Sequence, residues 1–392
     1  MSCAARLPAR AHRFRYRLDM HMRRGTIVLL PLLVAAWAAC SDDAVTSAPT
    51  EADAGPEAAT PVVDAGPPGI DCATDQAADM VFKHLECTGL YASFADKTIA
   101  DTALPYKPAL EFWSDGAAKE RWLALPAGTK IDITSFDEWK FPVGTSVWKE
   151  FKVGGKRIET RFYTKLPDDS WKHATYRWTD DESSAVRMDV GEKIPGIGPD
   201  GGVYEVPDTN ACNDCHNGRT DQLLGVEAVN LGLPGATGLT LDALSTGGHL
   251  SATPPKTTLA LPGDATAQAA LGFLHTNCGA CHNDNSNALA RSRAHLLILP
   301  SELTGTEAVT DLTLYKQAYC TDARQSETEG VPYKYIRGGS AARSLASVLS
   351  GFRVPTDQDP DDRQMPPIVT RAVDVTGHAA LDAWIATLPP CN

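Results

Sequence analysis

The chain of 392 residues predicts an α+β multidomain protein, an antiparallel β-rich sandwich or barrel followed by two mainly α-helical regions. Three observations point there. Between 105 and 190, apolar and polar residues alternate in short runs separated by turn residues. Beyond 195 this alternation stops, and Leu- and Ala-rich segments with helical spacing take over. Within that second part lie two pentapeptides of one pattern, Cys212-Asn-Asp-Cys-His216 and Cys278-Gly-Ala-Cys-His282.

From the N-terminus, a basic stretch ending in Arg23-Arg24 precedes the apolar run 25–39, which closes on Ala38-Ala39 before Cys40. A charged region, a short apolar core and small residues make an export signal, too short for a comfortable membrane span. Residues 1–39 therefore read as a lipoprotein signal peptide, with Met20 or Met22 an alternative start and Cys40 the lipidated residue of the mature chain. The bland alternative is ordinary signal cleavage with Cys40 a bystander. Residues 40–70 are rich in Ala, Pro, Asp, Glu and Thr and nearly lack large apolar side chains, so they read as a disordered tether.

Residues 71–195 form the expected helix plus β-rich domain. Met80, Phe82, Leu85 and Leu90 suggest a short helix with a turn at Gly89. Segments 121–125, 130–134, 146–153, 157–164 and 172–178 alternate as strands, with turns at 126–128, Gly154-Gly155 and 167–169. Trp113, Trp122, Trp139, Trp148, Trp171 and Trp178 fall in or beside this module. They suit a small β core, and a ligand-binding aromatic row is the alternative reading. Residues 196–262 and 263–392 are the two helical regions. The second runs from a helix at 267–275 through its pentapeptide and the loop Met365-Pro-Pro367 to a C-terminal helix, 377–388.

C-x-x-C-H is the attachment signal of c-type haem. Two thiols one helical turn apart can form thioethers to the two vinyl groups, and the adjacent imidazole reaches the iron. At this Cys and His content chance yields on the order of 0.006 such pentapeptides per chain. Cys212, Cys215 and His216, and Cys278, Cys281 and His282, are thus the candidate ligands of two covalently bound haems. A zinc site would use the same four cysteines, but neither it nor a thioredoxin-like pair needs His directly after both pairs. For the second iron, Met365 is the expected sixth ligand: only Met80, Met188 and Met365 follow residue 39, and Pro366-Pro367 hold this loop out of a helix. His295 is the reserve candidate. For the first iron the alternatives are Met188, 24 residues before the motif, His249, 33 residues after His216, and an open position.

With Cys3 in the signal, Cys40 lipidated and four cysteines on haem, Cys72, Cys87, Cys320 and Cys391 remain. An even number in an exported chain suits two disulfides, and the pairs Cys72–Cys87 and Cys320–Cys391 each lie within one expected domain. Buried free thiols are the alternative. The segment 1–39 holds seven Arg and one Asp, so its removal leaves 29 basic and 48 acidic residues and takes the net charge from -13 to -19. That disfavours nucleic acid and allows a basic redox partner, which the acidic run 357–362 before Met365 would steer.

These residues carry a resemblance. Thr88-Gly-Leu-Tyr91, Phe112-Trp-Ser-Asp-Gly-Ala117 continuing to Pro126, 139–145, 147–151, 159–161, Tyr176-Arg-Trp178, both pentapeptides, Leu224-Gly225 and Met365-Pro-Pro367 resemble a family of envelope dihaem c-type cytochromes with an N-terminal β-rich module. The likeness spans roughly three hundred residues, and 263–392, including 335–340 and Ser344-Leu345, is similar to class I cytochrome c domains. It implies two cytochrome c-like haem regions and electron transfer in the bacterial cell envelope; Cys40, read above as lipidated, would anchor the protein there, facing the periplasm or in the outer membrane. The competing readings are a dihaem peroxidase-type enzyme and a haem-bearing docking module for a periplasmic dehydrogenase, with 113–117 as its working loop.

Overall fold

Alternation in 118–178 folds into consecutive hairpins, because Gly154-Gly155 and Asp169 supply the positive φ that the tight turns need. In this computed structural model the described residues are 70–286, 292–328, 331–355, 364–367 and 370–391. The signal segment 1–39 with Cys40, the tether up to 69 and the acidic run 357–362 lie outside them. Contacts divide the chain between Pro61 and Val62, so every described residue belongs to the second unit.

The strands are β1 (Tyr91–Ser93), β2 (Thr98–Ile99), β3 (Leu104–Lys107), β4 (Ala118–Ala124), β5 (Ser146–Val153), β6 (Lys156–Lys165), β7 (Trp171–Trp178), β8 (Ala185–Met188), β9 (Glu192–Pro195), β10 (Val203–Val206), β11 (Thr237–Gly238), β12 (Asp322–Thr328) and β13 (Val331–Lys334). Seven of them make one antiparallel sheet in the order β11-β3-β4-β5-β6-β7-β8. Its two edges are different strands that do not pair, so the sheet is open. The barrel alternative is corrected here, and so is the sandwich: the remaining sheets among the described residues have only two strands each. The architecture is α+β.

Period-two geometry gives this sheet two distinct faces. On one, Trp122, Trp148, Phe162 and Ala174 lie in register across four strands, and with Tyr176 and Trp178 they pack on Val81, Leu85, Leu90, Tyr91 and Phe94. The tryptophans here are core. Trp148 Nε1 donates to Thr88 Oγ1 (2.9 Å) and Trp178 Nε1 to Thr160 Oγ1 (2.9 Å), which satisfies their only polar atoms. On the other face, Leu123, Val147 and Tyr163 join a cluster that continues through Leu231, Leu241, Leu271, Trp384 and Ile385. One core therefore links the sheet to both helical segments. Residues 130–134 form two isolated bridges in place of the expected strand, Ile131 with Leu250 and Asp132 with Lys140. Ile131 and Ile133 are buried in that shared cluster, so their alternation reports burial against the following region.

The helices are α1 (Cys72–Asp75), α2 (Thr209–His216), α3 (Ala228–Gly232), α4 (Leu241–Thr246), α5 (Ala265–Asn277), α6 (Thr313–Ala318), α7 (Leu345–Ser350) and α8 (Val375–Thr387). In place of the single short helix read near 75–95 stand α1 and a 3₁₀ turn, Leu85–Thr88, closed by Gly89 at φ 84°. Helices α5 and α8 cross closely. A Cβ on Gly377 would lie 2.2 Å from Phe273 Cδ2, so only glycine admits this approach. Disulfides join Cys72 to Cys87 and Cys320 to Cys391. No helix among the described residues is long and apolar enough to cross a membrane.

Candidate haem-attachment sites

Helix α2 begins at Asp208, whose carboxylate accepts from Ala211 N (2.8 Å), and this cap sets the turn that carries Cys212, Cys215 and His216. Spacing i, i+3 puts both thiols on one side of the helix. His216 Nδ1 lies 2.6 Å from the Gln222 carbonyl. A carbonyl only accepts, so Nδ1 holds the proton and Nε2 presents its lone pair, the tautomer a metal needs. Tyr163 of β6 stacks on the imidazole at 4.2 Å, and His173 of β7 stacks on Tyr163 at 5.2 Å while its Nε2 meets the Thr209 carbonyl (2.8 Å). The sheet thus fixes both the ring and the helix that carries it. Burial pushes His216 down to about 3, the Gln222 carbonyl opposing and Lys149 adding, so the imidazole is neutral at physiological pH.

The second motif starts where α5 ends. Cys281 N and His282 N both donate to the Cys278 carbonyl (3.1 and 2.9 Å), turning the chain back on itself. Gly279 is required there, because a Cβ would lie 2.5 Å from the His275 carbonyl and 2.8 Å from Leu297 Cα. His282 Nδ1 is 3.0 Å from Ser292 Oγ, a hydroxyl that can donate or accept, so the contact orients the ring without choosing its tautomer. Buried Asn283 donates to the carbonyls of Gly279 (2.7 Å) and Ala280 (2.9 Å) and sets the turn. Burial pushes the Cys278 thiol up to about 12, Arg353 opposing, and lowers His282.

All four cysteines lie outside the two disulfides and are half-buried. Both histidines are half-buried too, although burial is the largest influence on each. Among the described residues no three His, Cys, Asp or Glu side chains are grouped to hold a bare metal ion. Haem iron takes four ligands from its macrocycle and asks the chain for only one or two. The donor set and the His216 tautomer fit that group.

The turn that follows the first motif touches the second. A Cβ on Gly218, two residues past His216, would lie 1.8 Å from the carbonyl oxygen of Ala280, which sits between Cys278 and Cys281. Glu138 braces this junction: its carboxylate accepts from Thr220 N (3.3 Å) and Asn285 Nδ2 (3.0 Å) and pairs with Arg219 (3.3 Å). Buried His275 and Glu227 meet at 3.4 Å across the same boundary.

Met365 is half-buried, and its N–H donates to the Leu349 carbonyl (2.9 Å). Buried Gln364 holds the loop through Val354 N (2.9 Å), the Pro366 carbonyl (3.1 Å) and the Thr370 carbonyl (3.1 Å). The segment 113–117 docks here. Trp113 N donates to Asn277 Oδ1 (2.8 Å) and its Nε1 to the Ala372 carbonyl (2.8 Å), while Asp115 accepts from Arg371 N (2.8 Å) and Ala372 N (3.0 Å). Met188 lies in β8 opposite Thr175, on the sheet face that carries Tyr163, and packs beside Phe151 and Tyr204. The His249 carbonyl accepts from Ile131 N (2.8 Å). His295 is buried with Nε2 donating to the Leu297 carbonyl (3.1 Å), a structural engagement of the nitrogen a metal would need. Met80 is exposed. Sequence reasoning missed Gly218, Glu138, Tyr163 and Ser292, whose partners are far away in sequence or carry no motif.

No protein-family model, curated protein or solved structure matches this chain.

Proposed function

We propose that the protein is a dihaem c-type cytochrome that transfers electrons in the bacterial cell envelope, held there by a lipid on Cys40. One haem is attached at Cys212 and Cys215 with His216 as proximal ligand, the other at Cys278 and Cys281 with His282 and Met365 on its iron. The observation that carries this reading is the close approach of Gly218, two residues past the first C-x-x-C-H motif, to Ala280 inside the second, which suits a relay from one site to the other. Iron in such a group cycles between ferrous and ferric states and supplies one electron per site. The chain's share is positional. Gln222 and Tyr163 orient His216, Ser292 orients His282, Glu138 braces the junction, and Gln364 with the 113–117 clamp holds the Met365 loop. The sixth position of the first iron goes to Met188 or His249, or stays open.

Pyridine haemochrome quantification with an optical redox titration tests the proposal. Two c-type haems per chain, each titrating reversibly, are expected, and one or none would overturn it. Rapid peroxide turnover would replace the carrier reading by a dihaem peroxidase.

A further inference from the structure

Three cations stand side by side on the sheet face that meets the first motif. Arg121 of β4, Lys149 of β5 and Arg161 of β6 are direct cross-strand partners, and Lys119 lies one pleat further along β4. Directly opposite side chains are about 5 Å apart, and like charges so placed destabilise a sheet. Water would normally screen such a row, but here the row is only partly reached by solvent: Arg121 is 5 % exposed, and half-buried Lys149 lies over the rings of Phe112 (5.7 Å) and Phe151 (4.9 Å).

Carboxylates answer only part of this charge. Glu111 pairs with Arg121 (2.9 Å) and lies 3.8 Å from Lys119, and Glu159 binds Arg161 through two hydrogen bonds (2.7 and 2.9 Å). Lys149, in the middle of the row, has no ion pair among the described residues, and the buried Nη1 of Arg121 has no hydrogen-bond partner. Four basic side chains thus face two carboxylates beside a site built for a group that brings two more, and burial with the neighbouring cations lowers Lys149 well below its usual value, which an added anion would relieve. Arg161 and Lys149 are also among the charges that act on His216.

We infer that Lys149 and Arg121, flanked by Lys119 and Arg161, seat the propionates of the haem attached at Cys212 and Cys215. This rests on the two-haem reading above. The row is a binding seat that the motif alone does not define, since thioethers and His216 fix only the opposite edge and the iron. Lys149 and the free Nη1 of Arg121 then donate charge-assisted hydrogen bonds to carboxylate, and the repulsion within the row becomes attraction to a shared anion.

The test compares Lys149→Met and Lys149→Arg with the parent, each carrying its covalent haems, by resonance Raman of the propionate bending modes and by redox titration. Lys149→Met is expected to shift the propionate modes of the first haem and lower its potential, with the second haem unchanged and two haems retained; Lys149→Arg restores both. Arg121→Met gives the same direction if Lys149→Met does not fold. Unchanged propionate modes in a two-haem variant, or a shift confined to the second haem, would overturn the seat and leave the haem reading intact. Fewer than two haems in the parent would sink the haem reading itself. Inorganic phosphate added to the parent separates the remaining source of anion: no shift is expected, and a shift of the first potential means that the row binds free solutes instead.

Discussion

At Gly218 a missing side chain does the positioning. The atom that a Cβ would strike is the main-chain oxygen of Ala280, so trimming Ala280 cannot relieve the clash. Gly218→Ala should force the motifs apart, costing about 1–3 kcal/mol in thermal unfolding, as overpacking does. It should keep both haems while weakening the dependence of one potential on the oxidation state of the other. Met365 gives a second residue-scale prediction. Thioether is a weak donor to ferric iron, so Met365→His should lower the second potential and keep the iron low-spin. Met365→Ala should open the site, adding a high-spin component and losing the weak far-red sulfur-to-iron band. An unchanged spectrum would hand the position to another residue, and the engaged Nε2 of His295 argues against that one. Residue identities were legible here for a chemical reason: a motif fixes thiols and imidazole locally, within five positions.

Elements bring in partners that no local pattern reveals. The 113–117 turn reads in sequence as an ordinary Asp-Gly turn or a working loop. In the structure Asp115, at φ 52°, spans from the β module to the segment after Met365 and accepts two main-chain N–H groups there. Asp115→Ala orphans both donors, each costing about 1–3 kcal/mol when buried. Calorimetry should show a loss of about 2–6 kcal/mol, and the spectrum of the second haem should change while the first stays as it was. The disulfide Cys320–Cys391 pins the end of the chain beyond α8 across 71 residues. Opening it by Cys391→Ser should cost about 4 kcal/mol on the chain-entropy estimate, more than the roughly 3 kcal/mol expected for Cys72–Cys87 with its loop of 15. Chemical denaturation of the two single variants checks that order.

For the whole molecule, the proposed function makes charge and attachment decide where it works and what it meets. Cys40→Ser should move the protein from the membrane to the soluble periplasmic fraction, and retention on the membrane would remove the anchor. A net charge of -19 after residue 39 should make reduction by a basic partner fall as salt rises, since screening acts over about 8 Å at physiological ionic strength. A rate independent of salt would remove electrostatic steering.

What the sequence by itself determined is whatever neighbours in the chain can encode. The two pentapeptides, the alternation of 146–178, the helices near 267–275 and 377–388, and the α+β class all rest on spacing within one turn, one strand or one hairpin. The tertiary structure alone decided the rest. It left the sheet open, because β11, far along the chain, pairs on β3 while β8 ends the other edge. It converted the expected strand at 130–134 into bridges, because Leu250 lies against Ile131. It set Gly218 against Ala280, and Arg121 beside Lys149. These contacts join positions tens of residues apart, where strand register and the packing of a shared core choose the neighbour and local pattern has no influence.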